Sequence, residues 1–352
     1  MSSVPYVVLA WPISGDTPVF AAETVRLWTD AEDAVDELVR VLGGTDRAGV
    51  DKAFLHATER LGLLGRRLAA TVAVPATGTL PPPVRVHSDY FRIRHAELSP
   101  EQHAAQAVTV LHRTVADLRY GMLEVNDVIA ELTGARLVLR TLRPAAGARS
   151  DDAGPEPEWF EPDGDWMDRW LLVHHCYFLL NLHAAAELHR AADLATTDPA
   201  GAAAALSRAA VLISAFTASM LHSGAMPAAY YEETIRPTMS PPRVPINLTG
   251  VMQPEHRIYR AALKRLLAVL DAPYAELAGA EPALAAARDD VLNADLLDIE
   301  RHITVAAVLV GSGRSLVQKA AAGSAVSTLR EMRHLRAVAY RDLLQSGERW
   351  LG

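Results

Sequence analysis

Residues 170–183, WLLVHHCYFLLNLH, are apolar on nearly every face of a helix and still carry two adjacent histidines, His174 and His175. A surface helix shows one apolar stripe, whereas a helix that is hydrophobic all round is buried. Adjacent helical residues point about 100° apart, so at least one of the two imidazoles faces inward. A buried imidazole needs a hydrogen bond, a metal or a ligand. The segment is therefore the wall of a core or the roof of a site.

The chain has 352 residues, half of them apolar, which suffices for one large domain or two ordinary ones. Alanine, leucine, arginine and glutamate dominate the long segments, and that usage predicts a mostly α fold. A formal charge of -8 with no basic stripe argues against a nucleic-acid partner. The single cysteine, Cys176, excludes an intramolecular disulfide and reads as a small buried thiol. The first residues, MSSVPYVVLAWPISG, lack a basic run and a cleavage site, and no apolar run approaches the length of a membrane span. The expectation is a soluble cytoplasmic protein without a membrane partner; a homodimer is left open.

Residues 1–143 read as an N-terminal, mainly helical region with loops and room for a strand. Thr29 and Asp30 offer a cap for a helix ending at Gly43 and Gly44, and a second helix is expected over 49–63. Residues 72–98, containing PATGTLPPPVRV, read as loop and extended chain. Ser99, Pro100 and Gln102 form a capping box with proline at the first helical position. It opens a helix with Ala104, Ala107, Leu111, Val115, Leu118 and Met122 on one face, running with a break to Gly134. Residues 144–165 are rich in proline, glycine and acid and read as a linker. The remainder, 166–352, reads as a helical domain. Asp165 and Asp168 cap a helix over 166–195, followed by helices at 200–222 and 227–235. Pro237, Pro241, Pro242 and Pro245 impose an irregular stretch up to Gly250. Helices at 254–271, 282–310 and 325–345 complete the chain, and no internal repeat is present.

Two residues stand out for chemistry. His302 lies where a charged helix face meets the apolar run 303–310; it is either a metal ligand or a satisfied boundary histidine. Arg236 ends a short helix before a proline-rich turn, as a carboxylate-gripping fork or as a solvated surface arginine. Other signals are weaker. GSGRS at 311–315 is not a phosphate loop, and DDVLNAD at 289–295 reads as a solvated helix face before a magnesium site. Paired Glu-x-x-His elements, HEXXH and GxSxG are all absent. His222, His256 and His334 read as structural or exposed.

Taken in order, the pieces over roughly 166–345 resemble the histidine-ligated haem-dependent aromatic oxygenases. That superfamily includes tryptophan and indoleamine dioxygenases, the chlorotryptophan-rearranging enzyme of the pyrrolnitrin pathway and bacterial tyrosine hydroxylases. WLLVHHCYFLL is similar to the helix covering the distal side of the haem, with His175 at its histidine. Residues 235–239, IRPTM, resemble the segment whose arginine grips the substrate carboxylate. Arg301, His302 and Ile303 resemble the axial-histidine segment, and Gly323, Ser324, Leu329 and Arg330 resemble the closing elements. The intact Gly-Thr-Gly-Gly-Ser-Ser loop of the dioxygenases is missing, Cys176 and Tyr177 replace a Gln-Ala pair, and some 140 residues precede the likeness. These departures point to a specialised biosynthetic relative.

The resemblance implies haem b, its iron held by His302, with dioxygen or peroxide and an aromatic amino acid as the other reactants. Tryptophan, tyrosine and a modified form all stay open, as do hydroxylation, dioxygenation, rearrangement and a non-enzymatic binding role. It implies His175 as the distal catalytic residue and Arg236 as the carboxylate holder. Tyr177, Phe178 and Phe216 are implied as pocket lining. His174, Gly323 and Ser324 are implied on the cofactor side, His174 against a propionate or a neighbouring helix.

Overall fold

The capping box at Ser99 forms as predicted in the computed structural model, which describes residues 4–44, 49–73, 82–147, 160–311 and 324–351. Gln102 N donates to Ser99 Oγ at 3.3 Å, and Ser99 N donates back to Gln102 Oε1 at 3.0 Å. Contacts among the described residues divide the chain into two units, Met1–Leu179 and Leu180–Gly352. Both are mostly helical, as the composition predicts.

The first unit contains β1 (Val7–Ala10), β2 (Val19–Phe20), α1 (Ala22–Leu42), α2 (Val50–Thr71), α3 (Pro82–Tyr90), β3 (Ile93–Ala96), α4 (Pro100–Leu118), α5 (Val125–Thr141) and β4 (Ala145–Ala146). It also contains the first half of α6 (Trp166–Leu194), since the division falls inside that helix. α1 packs on α2 and α5, and α2 packs on α4. Trp28, Leu38, Leu61, Leu64, Val108 and Leu111 are sealed from solvent between them. β1 and β3 pair in parallel, Val7 opposite Ile93, and β2 pairs in parallel with β4.

Several boundaries move from their sequence expectations. α1 starts at Ala22, because the Thr29 hydroxyl donates to Val25 O at 3.2 Å and is satisfied inside the helix instead of capping it. α2 runs on to Thr71. α3 occupies part of the stretch read as extended; proline is tolerated in a first helical turn, where its missing N–H has no partner to lose. α4 ends at Leu118, so Met122 lies beyond the face assigned to it and is exposed. α5 continues to Thr141, past Gly134. Most of the 144–165 segment lies outside the described residues. Asp165 caps α6 as predicted, its Oδ1 accepting from Met167 N at 2.9 Å and Asp168 N at 3.0 Å.

The second unit contains the rest of α6, α7 (Pro199–Ser223), α8 (Ala228–Tyr230), a π turn over Tyr231–Ile235, α9 (Arg236–Thr238), α10 (Pro254–Val269), α11 (Tyr274–Ala280), α12 (Pro282–Leu309) and α13 (Ala325–Tyr340). α12 packs against α7, α11 and α13. α7 is the one helix among the described residues long and apolar enough to cross a membrane. That differs from the expectation, although 56% of its apolar window is buried inside the protein, as in a core helix. The buried Arg288 on α12 donates to the carbonyls of Leu270, Ala272 and Leu343 at 2.7–2.9 Å. It thereby satisfies carbonyls left over just past the ends of α10 and α13.

Candidate functional site

Each unit buries a polar cluster. In the first, the all-apolar helix is the buried wall that its sequence predicts, and both histidines are inside. His174 Nδ1–H donates to Trp170 O one turn back at 2.5 Å, while the ring stacks on Phe91 at 4.6 Å. That bond fixes the tautomer and leaves Nε2 as a lone pair. Burial pushes His174 down to about 4, against the pull of the Trp170 carbonyl, so the ring is neutral at neutral pH. Such a nitrogen suits a metal or a hydrogen-bond donor better than a propionate.

His175 is sealed from solvent, and its Nε2–H donates to Phe91 O at 2.6 Å. Nδ1 is then an acceptor, and it is buried with no hydrogen-bond partner among the described residues. Burial and the nearby charge of Arg113 push this ring down to about 3. Phe91 contacts Phe178 edge-on at 5.5 Å, and Tyr177 meets Phe178 at 5.7 Å. On α4, burial and the charges of Arg113 and Arg66 push His112 down to about 3. The helices approach so closely here that a Cβ on Gly62 of α2 would lie 3.1 Å from His112 Nε2. The neighbouring Asp117 holds the buried Arg169 at 2.6 Å.

In the second unit Asp295 on α12 is fully buried and collects four groups. Tyr259 OH and Tyr340 OH donate at 2.8 Å, Arg260 Nη1 at 2.6 and 2.8 Å, and Arg336 Nη1 at 3.3 Å. Burial opposes ionisation, but Arg260 and Arg336 outweigh it and hold Asp295 well below the ordinary carboxylate range. One turn on, Asp298 lies 3.0 Å from Thr217 Oγ1, and burial together with Asp295 pushes it up to about 6. The DDVLNAD stretch is therefore not a solvated face: Asp289 accepts from Gln345 N, Asn293 binds Arg349 and Trp350, and Asp295 is core. No group of three or more metal-binding side chains occurs among the described residues.

His302 stands on the same helix and is half-buried. Burial and the charge of Arg336 push it down to about 4, so it presents a neutral lone pair, as an iron ligand requires. His256 nearby has a buried, unpartnered Nδ1 and is pushed down to about 3 by burial and by Arg260 and Arg336. Phe216 packs edge-on to Tyr259 at 5.2 Å. Arg236 follows the π turn, and its Nη1 donates to both carboxylate oxygens of Glu232 at 2.9 Å. Ser324 sits at the N-cap of α13, while Gly323 lies outside the described residues.

The residues singled out in sequence thus fall in both units: His174, His175, Tyr177 and Phe178 in the first, and Phe216, Arg236 and His302 in the second. His222 is buried within α7 and His334 is exposed. Arg113, His112 and Asp298 were not picked out, and Asp295 was noticed only as part of DDVLNAD, a stretch expected to be a solvated face. Their one sequence signal is a polar residue on a long helix, and the buried positions of α12 alternate with an exposed stripe through Asp290, Leu297 and Val308.

Residues 12–287 match the family model described as SfmD 3-methyl-L-tyrosine peroxygenase, a span that includes His174, His175, Phe216 and Arg236 but stops short of His302. A 3-methyl-L-tyrosine peroxygenase of Streptomyces lavendulae is 28% identical over 213 residues, 58% of this chain and 54% of that protein. The chain therefore spans about half the length of the curated relative it matches. The crystal structure of reduced SfmD, soaked with sodium hydrosulfite, aligns with a TM-score of 0.51 at 19% identity, covering 83% of this chain and 97% of that one. At that identity the likeness is one of fold.

Proposed function

The chain belongs to the SfmD 3-methyl-L-tyrosine peroxygenase family, and from that membership we propose that it is a haem-dependent oxidoreductase that oxygenates the ring of a tyrosine-type amino acid with peroxide. The family match over more than three quarters of the chain carries this reading. The family name favours peroxide over dioxygen and a tyrosine ring over an indole.

The residues fit a haem on chemical grounds, since the buried neutral imidazoles offer nitrogen lone pairs to iron. His302 is the ligand the superfamily resemblance implies, and a ring kept neutral by burial and the Arg336 charge supports it. His174 is the alternative that the geometry favours, because its Nδ1–H is anchored on a backbone carbonyl and its Nε2 is left over. Bound haem iron would supply the activation of peroxide. The chain's own contribution is positioning and exclusion of water. His175, pushed down to about 3, keeps its Nε2–H on the Phe91 carbonyl and presents Nδ1 as an acceptor that holds no second proton near neutral pH, so it orients a substrate group rather than serving as a base.

The full chain, reconstituted with haem, is expected to show a Soret band. His302→Ala should abolish it while His174→Ala retains it; the reverse pattern moves the ligand to His174. With hydrogen peroxide and 3-methyl-L-tyrosine or L-tyrosine, mass spectrometry should find one labelled oxygen atom added from the peroxide. A chain that stays colourless with haem overturns the reading, and label arriving from dioxygen instead replaces the oxidant.

A further inference from the structure

Thr217 on α7 has one proton to give and two acceptors within reach. Its Oγ1 lies 2.9 Å from Ile213 O, one turn back on its own helix, and 3.0 Å from Asp298 Oδ1 on α12. A threonine hydroxyl carries a single O–H and two lone pairs. Inside a helix that proton goes to the carbonyl four residues back. Thr109, Thr114, Thr133, Thr141 and Thr304 all place it there. With the proton on Ile213 O, Thr217 turns a lone pair to Asp298. Two buried acceptors at 3.0 Å repel unless one of them carries a hydrogen, and only the carboxyl can be that one.

Thr217 and Asp298 are only 6% and 5% exposed, so solvent does not relieve the contact. The charged groups around Asp298 come from three helices. Asp295, one turn back on α12, opposes a second negative charge. Arg336 on α13 and Arg260 on α10 favour one, but both already donate to Asp295. His302, one turn further on, is neutral. α7 faces Asp298 with the hydroxyl. Its ionisable residues are Arg208, paired with Glu187, and His222, five residues past Thr217 and on another face of the helix. α8 carries Tyr230, and α11, which leads into the start of α12, carries Tyr274 and Glu276. Burial and Asp295 prevail, and they push the carboxyl up to about 6, in the direction the hydrogen-bond geometry requires.

We propose that Asp298 is a carboxylic acid whose proton latches α12 to Thr217 on α7, and that its ionisation reverses the bond. The acid form donates Oδ1–H to Thr217 Oγ1, while the Thr217 proton stays on Ile213 O. When Asp298 releases its proton to solvent, the Thr217 hydroxyl turns from Ile213 O to the carboxylate. No covalent bond other than that one O–H breaks. α7 and α12 pack more extensively on each other than any other pair of helices in the second unit. Phe216, beside Thr217, is the ring set edge-on to Tyr259. The packing of these two helices answers to pH through one buried proton. The latch needs neither haem nor substrate, so it stands or falls apart from the reading above.

Carbon-13 NMR of the full chain, labelled at the aspartate carboxyls and the isoleucine carbonyls, tests it from about pH 4 to 8. Asp298→Asn identifies the Asp298 signal by its loss. The Ile213 carbonyl should shift with the same midpoint as Asp298, because it loses the Thr217 hydroxyl as the carboxyl ionises. Thr217→Val keeps the shape and removes the hydroxyl. Where the acid form makes the bond, that loss weakens the acid form, and the Asp298 midpoint should fall by about 0.5–1 pH unit. A midpoint that rises or stays put overturns the latch, a rise being what a hydroxyl donating to the carboxylate would give. An Ile213 signal flat through the titration overturns the reversal, and it does so in wild type, even where Thr217→Val fails to fold. An Asp298 already ionised at the acid end of the range overturns both.

Discussion

Asp295 and Arg113 are both ionisable residues on buried helices, and they solve the problem of burial in opposite ways. Around Asp295 two arginines and two tyrosine hydroxyls converge on one carboxylate, so the buried negative charge is fully answered. Around Arg113 the described residues supply one long bond to a carbonyl and a ring face, and in the same unit His175 Nδ1 is left without a donor. A completed network holds structure in place, whereas at His175 an acceptor is left without a donor among the described residues. Residue type alone does not tell the two apart, since both surroundings contain arginines and aromatics.

Breaking the completed cluster should give the largest effect. Asp295→Ala strands Arg260 and Arg336 in the second unit and should cost about 3–5 kcal/mol, read by chemical denaturation. A loss below about 1 kcal/mol would show that the cluster is not the structural hub described. Next comes Asp298, whose ordinary value of 3.8 is raised to about 6 on folding. The folded protein therefore binds this proton more tightly than the unfolded chain. The resulting stabilisation is complete below the unfolded value and fades as pH rises through the folded one, about 3 kcal/mol in all. Asp298→Asn should remove that pH dependence between about pH 4 and 6.5; an unchanged slope would assign the proton elsewhere. The smallest effect is expected at the rim. Arg208 pairs with Glu187 at 2.8 Å but is about a third exposed, so Arg208→Ala should change stability by less than about 1 kcal/mol. A larger loss there would blur the line between buried and surface charge on which the comparison depends.

Much of the helical framework was legible. The Ser99 box, the Asp165 cap and the all-round apolar character of 170–183 depend on residues one turn apart, and the structure keeps all three. Where local signals misled, another local bond had taken over, as at Thr29, or a proline had found the first turn, as in α3. The buried sites were less legible. His174 and His175 announced themselves by sitting in an apolar helix, but Arg113 sits in a helix whose pattern is ordinarily amphipathic. Only packing on more than one side buried its polar face.

The sequence by itself determined that the chain is mostly helical, where several helices begin, and that two imidazoles are buried, because these follow from neighbours three or four residues away. Which buried group finds a partner was decided by tertiary structure alone. Asp295 meets Tyr259 and Tyr340 across 36 and 45 residues, Arg169 meets Asp117 across 52, and His175 meets Phe91 across 84. No periodicity encodes separations of that length. The fold brings these groups together, and at Arg113 the described residues bring up no counter-charge.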